Sequence, residues 1–229
     1  LLLFVFGVEA LLAVWLAHVS GRPRPATVSS VGFGDALRLL RSSQYLPHLV
    51  LLIGVVQLVV NLIDYQFNAV VEHAYHDVDT RTAMISRVYA IIDGSSLALQ
   101  LSTGIVLRAI GLRATLVAIP LVLGAALGSF ALVPTFLSVA VLKVTSKVLD
   151  YSLFRAAKEM LYIPLRYEDK TRGKAIVDML TYRLAKGGAS VVLAATIPFG
   201  AVGITLGVLL GAWLAISIPL LARYHRLTD

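Results

Sequence analysis

The chain has 229 residues, of which 58% are hydrophobic and 14% charged, and its mean hydropathy is +0.84. Soluble domains carry about 25% charged residues, so this composition indicates a membrane protein. The formal net charge is +7, but the basic residues fall in short segments between apolar runs, which argues against a nucleic-acid partner. Cysteine is absent, which excludes disulfides and thiolate metal sites.

Seven apolar runs approach the length of about 20 residues that a helix needs to cross a bilayer. They cover 1–19, 46–70, 83–106, 113–131, 135–155, 174–196 and 201–222. Proline and glycine separate them: Pro134 opens the fifth run, and Pro198 and Gly200 mark the turn between the last two. We therefore predict an all-α membrane protein with about seven transmembrane helices.

The segment 20–45 divides the first run from the other six. Its second half suits an amphipathic helix on the inner membrane surface, with apolar and basic residues at Phe33, Leu37, Leu40, Arg38 and Arg41. The predicted regions are a transmembrane helix at 1–19, a cytoplasmic linker at 20–45 and a six-helix bundle at 46–229. The chain begins with leucine rather than methionine, and we expect it to be a piece of a longer protein.

Lysine and arginine are concentrated in every second loop. The segments 20–45, 107–113, 155–174 and the C-terminal tail are basic, whereas 71–82 holds one arginine among three acids. Because basic loops stay in the cytoplasm, we expect an integral protein of a bacterial inner membrane with a cytoplasmic C-terminus. The two histidines and the acids of 71–82 fit a solvated outer loop, and we predict neither a metal site nor a cofactor.

Two of the runs carry a polar stripe. In the second run, the stripe consists of Gln57, Asn61, Asp64 and Asn68. In the third run, the same spacing holds Tyr89, Asp93, Ser96 and Gln100. This spacing puts each set on one helix face, which should point into the bundle because polar groups in lipid need partners. Polar contact between helices and the lining of a cavity both remain open.

The fifth and sixth runs carry cations near the middle of the membrane. An ionisable side chain there costs about 2.5–3.5 kcal/mol on insertion and therefore suggests a function. We predict a substrate site, with Asp93 as an ion-pair or coupling group, formed by Lys143, Lys147, Arg183, Lys186, Asp93 and Tyr182. Asp150 adds a second acid, and Tyr151 offers a ring. The surplus of Lys and Arg suits a multiply charged anion, and phosphate is the usual one.

A second charged set lies nearer the cytoplasm, where we predict a charge network that closes the inner gate. Its members are Arg155, Lys158, Glu159, Lys174 and Asp178. The sequence holds no Walker-type glycine loop, HExxH helix or Ser/His/Asp order, so we do not predict an enzyme.

The charged stretch also contains distinctive sequence motifs. Residues 158–165 read KEMLYIPL, residues 170–175 read KTRGKA, and Asp178, Arg183 and the Lys186-Gly-Gly triplet follow. This pattern resembles the ATP/ADP translocases, nucleotide transporters of plastids and intracellular bacteria of the major facilitator type. The resemblance implies helix 6 plus the C-terminal six-helix half of a twelve-helix facilitator fold.

The resemblance also implies a function and partners. It implies exchange of ATP for ADP, or movement of a related phosphorylated anion, by alternating access without hydrolysis. The partners would be the lipid bilayer, the N-terminal transporter half and the nucleotide or other anion. A second hypothesis is a transporter-derived membrane scaffold or assembly subunit that contacts other membrane subunits. It predicts midplane charges closed into mutual salt bridges with no cavity, whereas transport predicts at least two of the four cations on an open crevice.

Overall fold

The computed structural model describes residues 45–165, 182–197 and 200–228. Within these ranges the backbone forms helices and turns and contains no strand. In chain order the α-helices are α1 (Leu46–Ala74), α2 (Val78–Leu132), α3 (Phe136–Leu149), α4 (Arg155–Leu161), α5 (Tyr182–Thr196) and α6 (Val202–Thr228). The predicted first span, the linker up to residue 44, Lys174 and Asp178 lie outside the described residues.

The helix α2 is 55 residues long and is interrupted at Gly111, where φ is 78° and ψ is 166°. Only glycine adopts this backbone region readily, because a Cβ would clash with the neighbouring carbonyl. The stretches 78–110 and 112–132 on either side correspond to the predicted third and fourth spans. The loop predicted at 107–113 is therefore a break at one residue, with helical turns on both sides.

Side-chain caps fix where the helices begin. Asp77 precedes α2, and its Oδ2 accepts hydrogen bonds from the Thr80 amide at 2.8 Å and the Thr80 hydroxyl at 2.6 Å. These bonds lower the pKa of the Asp77 carboxyl. A reciprocal capping box between Thr135 and Ser138 starts α3. The acid that sequence analysis assigned to a solvated outer loop thus stabilises the first turn of α2.

A π-helix, Asp150–Phe154, joins α3 to α4 without a break. The fifth predicted span, 135–155, therefore continues to Leu161 and carries the first half of the KEMLYIPL segment. The second half forms a turn at 162–164, where Pro164 lacks the amide that a further helical turn would need. This continuity keeps the charges of α3 and α4 on one helical rod.

The helix α1 is central to the packing, since it contacts α3, α5 and α6, while α2 packs against α3 and α6. Trp213 of α6 is buried and meets Phe154 of the π-helix edge-on, with ring centroids 5.5 Å apart. Among the described residues, three helical segments are long and apolar enough to cross a membrane, namely Leu46–Ala74, Val78–Leu132 and Val202–Tyr224. The predicted class, an all-α membrane protein, is confirmed.

Candidate functional site

A cavity of about 580 Å³ opens between α1, the α3–π–α4 rod and α5. This volume falls in the range of about 300–1,000 Å³ that is typical of small-molecule sites. Its wall consists of Ile53, Gln57, Val60, Asn61, Asp64, Lys147, Asp150, Tyr151, Phe154, Arg155, Lys158 and Lys186. We call this space the cationic cavity, because four of these side chains are basic and two are acidic.

The helix α1 supplies the first wall of the cationic cavity. Gln57, Asn61 and Asp64 lie on it, one helical turn apart, as the polar stripe predicts. The Asn61 amide donates to the Gln57 carbonyl at 2.6 Å, which fixes the end of that side chain. Asn68, the last member of the predicted stripe, is exposed and does not line the cavity. For three of the four residues, the structure therefore shows a cavity lining.

The α3–π–α4 rod supplies the second wall, from Lys147 to Lys158. These two lysines lie eleven positions apart on the helical rod, which is about 16 Å along the axis. Arg155 lies between them, and Lys186 of α5 completes the cationic set. Sequence analysis predicted a midplane site and a separate cytoplasmic gate, but the structure puts members of both sets on one wall. Glu159 is exposed and is not part of it.

Asp64 binds two lysines at once. Its Oδ1 lies 2.6 Å from Lys143 Nζ, and its Oδ2 lies 2.9 Å from Lys147 Nζ. The side chains of Lys143, Lys147 and Asp64 are 1%, 12% and 28% exposed, respectively. Each carboxylate oxygen thus has its own cation, and this compensates part of the free energy that burying the charges costs.

Aromatic rings enclose the two lysines. Lys143 Nζ lies 5.4 Å from the ring centroid of Phe67 and 5.3 Å from that of Tyr89, while Lys147 Nζ lies 5.7 Å from that of Tyr151. All three distances suit cation–π attraction. Sequence analysis predicted Lys143 as part of the substrate site, and in the structure it bonds to Asp64 and lies off the cavity wall.

The charges on the wall of the cationic cavity leave it positive. Among the wall residues that the structure describes, cations outnumber acids by two. Asp150 lines the same wall as Lys147, Arg155 and Lys158. Because charges interact more strongly where water is excluded, this wall is suited to an anion with several charges. Arginine's fork and lysine's point charge together match phosphate oxygens.

Other predicted site residues lie elsewhere or outside the description. Asp93 is exposed on α2 and is not on the wall. Gln100 donates through Nε2 to the Tyr151 carbonyl at 3.3 Å, so it joins α2 to the π-helix instead of lining the cavity. The side chains of Tyr182 and Arg183 are outside the described residues, and their predicted roles stay predictions.

Three apolar wall residues escaped the sequence analysis, namely Ile53, Val60 and Phe154. An apolar residue inside an apolar run gives no sign that it faces a cavity rather than lipid. The π-helix at 150–154 was also not predicted, since its residues have ordinary helical composition. It adds one residue to a helical turn, which changes the faces that Asp150 and Tyr151 share with Lys147.

Comparison with known proteins connects this geometry to a family. Residues 126–223 match the family described as TLC ATP/ADP transporter. ADP,ATP carrier protein 1 of Chlamydia muridarum is 44% identical over 68 residues, which is 30% of this chain and 13% of that protein. ADP,ATP carrier protein 1 of Rickettsia prowazekii is 27% identical over 187 residues, which is 72% of this chain and 38% of that protein. The chloroplastic ADP,ATP carrier protein 1 of Arabidopsis thaliana is 35% identical over 98 residues, covering 38% of this chain and 15% of that protein.

The chain spans well under half the length of these relatives, between 13% and 38%. No solved structure matches it. The family match covers the α3–π–α4 rod, which carries most of the cationic wall. The matches confirm the resemblance that the charged segments indicate: this integral membrane chain is similar to the ATP/ADP translocases.

Proposed function

We propose that the chain forms part of a membrane transporter for a phosphorylated anion, and that the anion is a nucleotide exchanged as ATP against ADP. The observation that carries this proposal is the cationic cavity between the helices, with Lys147 and Lys186 on its wall. The names of the matched relatives, all ADP,ATP carriers, support the nucleotide as the anion.

The chemistry of the wall suits the phosphate chain of a nucleotide. Arg155 can form two parallel hydrogen bonds to one phosphate, and the lysines neutralise the remaining charge. Tyr151 offers a ring for the base, next to the cations. Transport needs no bond cleavage, so the wall has only to bind the anion and release it on the other side of the membrane.

The rest of the transporter is part of the proposal. In facilitator folds, two six-helix halves enclose a midplane site and rock around it. We propose that an N-terminal half faces the cationic cavity and that Arg155 and Lys158 close it on the cytoplasmic side. The C-terminus would lie in the cytoplasm and the protein in a bacterial inner membrane.

The scaffold hypothesis predicts ion pairs without a cavity. Asp64 does pair with Lys143 and Lys147, but a cavity of about 580 Å³ remains beside these pairs. Two of the four predicted cations, Lys147 and Lys186, line this cavity. Transport predicts at least two of them on an open crevice. The geometry therefore favours transport.

Nucleotide exchange in proteoliposomes tests the proposal. The full-length protein is reconstituted with ADP inside and labelled ATP outside, and wild type is compared with Lys186→Ala. The matched control is Arg108→Ala, which removes an exposed cation of α2 that is not on the cavity wall. We expect exchange by wild type and control and its loss in Lys186→Ala. Absence of exchange by folded wild type, or equal rates in all three proteins, would overturn the proposal.

A further inference from the structure

The two lysines that hold Asp64 differ in their access to the cavity. Lys147 lies on the cavity wall and is 12% exposed, whereas Lys143 is 1% exposed and absent from the wall. Asp64 itself is on the wall and 28% exposed. A solute in the cavity can therefore reach one lysine of the pair and the carboxylate, but not the other lysine.

We propose that Asp64 is an internal counter-ion that an incoming anion displaces from Lys147, while Lys143 keeps hold of it. This inference rests on the proposed function, since it needs an anion that enters the cationic cavity. The phosphate oxygens of the solute take the place of Asp64 Oδ2 on Lys147. Asp64 Oδ1 stays bonded to Lys143. Lys143 is thus a positioning residue for the binding site and does not touch the solute.

The need for Lys143 follows from the cost of an uncompensated buried charge. Breaking a buried pair by removing one partner is strongly unfavourable, because the other charge is left without compensation. If Lys147 were the only partner of Asp64, an anion that captured Lys147 would leave such a carboxylate. Lys143 prevents this, since its 2.6 Å bond to the other oxygen persists.

The same arrangement helps the solute to leave. When the anion departs, Asp64 Oδ2 returns to Lys147, so the charge of this lysine is compensated both with and without the anion. The free energy needed to separate Asp64 from Lys147 offsets part of the attraction between the anion and Lys147. This keeps the binding weak enough for release. A carrier requires such reversibility, because a site that binds too tightly cannot turn over.

A set of charge variants tests the displacement through the affinity of the purified full-length protein for labelled ATP. Lys143→Met should weaken binding by about tenfold or more, because Asp64 then has only Lys147 and competes fully with the anion. Adding Asp64→Asn to that variant should restore the affinity to the wild-type level or beyond it. The double variant removes both members of the buried Lys143–Asp64 pair. Lys147 loses Asp64 as well, but it lies on the wall of the open cavity, so the variant is expected to fold.

The control for general electrostatics is Asp150→Asn in the Lys143→Met background. Asp150 also lies on the wall, three positions along the chain from Lys147, so Asp150→Asn removes the second acid of the described wall. Displacement predicts rescue by Asp64→Asn and none by Asp150→Asn. Equal rescue by both variants, or no rescue by Asp64→Asn, would overturn this inference and leave the transport proposal intact. If folded wild type binds no ATP, the proposed function fails and the inference falls with it.

Discussion

Gly111 provides the sharpest test of how the backbone separates two membrane spans. Its φ of 78° and ψ of 166° interrupt α2 between the stretches 78–110 and 112–132. We predict that Gly111→Ala destabilises the protein, because alanine adopts this backbone region only with strain. The buried residues Leu112, Leu116 and Leu123 follow directly, so the break sets the direction in which the second stretch enters the core.

The magnitude follows from the surroundings of the residue. A Cβ built on Gly111 meets no atom within 4 Å, so no steric contact with neighbours adds to the cost. Backbone strain of this kind costs about 1–3 kcal/mol. Gly104, on the same helix, also has open space around its Cβ position and has no positive φ. Replacing a glycine in a helix interior with alanine stabilises it by about 1 kcal/mol, so Gly104→Ala should change the stability in the opposite direction.

The assay is unfolding of the full-length protein in mixed micelles by titration with sodium dodecyl sulfate. Wild type, Gly111→Ala and Gly104→Ala are compared by circular dichroism. We expect the unfolding midpoint to move to lower detergent fraction for Gly111→Ala and to higher fraction for Gly104→Ala. Equal midpoints for the two alanine variants would refute the argument, since it would mean that residue 111 has an ordinary helical backbone.

Three further outcomes are expected. In protein that is otherwise free of cysteine, a cysteine at Gln57, on the cavity wall, should react with a water-soluble thiol reagent. A cysteine at Val191, which is exposed but off the cavity wall, should react slowly, because we expect this apolar surface to face lipid. Tyr45→Phe should lower the free energy of unfolding by about 1–3 kcal/mol, measured by the same titration, because the buried phenol donates a 2.7 Å hydrogen bond to a carbonyl at the end of α4. The Thr80 hydrogen bonds lower the pKa of Asp77, so this cap stabilises the folded protein above the unfolded pKa of about 3.9 and is lost as pH falls through the lower folded value. As the pH falls through that lower value, amide hydrogen exchange in the first turn of α2 should therefore become faster than the intrinsic pH dependence of exchange predicts. The variant Asp77→Asn should abolish this additional increase.

Local patterns in the chain were sufficient to predict its class and much of its cavity-facing surface. Apolar runs of membrane-spanning length predict helices regardless of how they pack, because backbone groups in lipid must be satisfied within the helix. The spacing of Gln57, Asn61 and Asp64 predicts a shared face, since helical periodicity is a local property. The predicted stripe also included Asn68, which is exposed and lies off the cavity wall, although Phe67 and Val71 beside it on α1 are buried.

Pairing between distant residues could not be predicted in this way. Asp64 and Lys143 are separated by 79 positions in the chain, and their 2.6 Å contact depends on how α1 packs against α3. Gln100 likewise bonds to a carbonyl of the π-helix, 51 positions away, whereas its spacing left both a contact between helices and a cavity lining open. The π-helix itself has no distinctive composition, so the register that it gives Asp150 and Arg155 became visible only in the structure.

The two lysines of α3 show the division most clearly. By sequence, Lys143 and Lys147 are equivalent cations one helical turn apart, and both were predicted to contact the solute. In the folded chain, one is enclosed by Asp64, Phe67 and Tyr89, and the other lines the cavity. The sequence alone determined that cations lie on one face of a membrane helix. Only the tertiary structure decided which of them a solute can reach, because access depends on the neighbouring helices that cover each side chain.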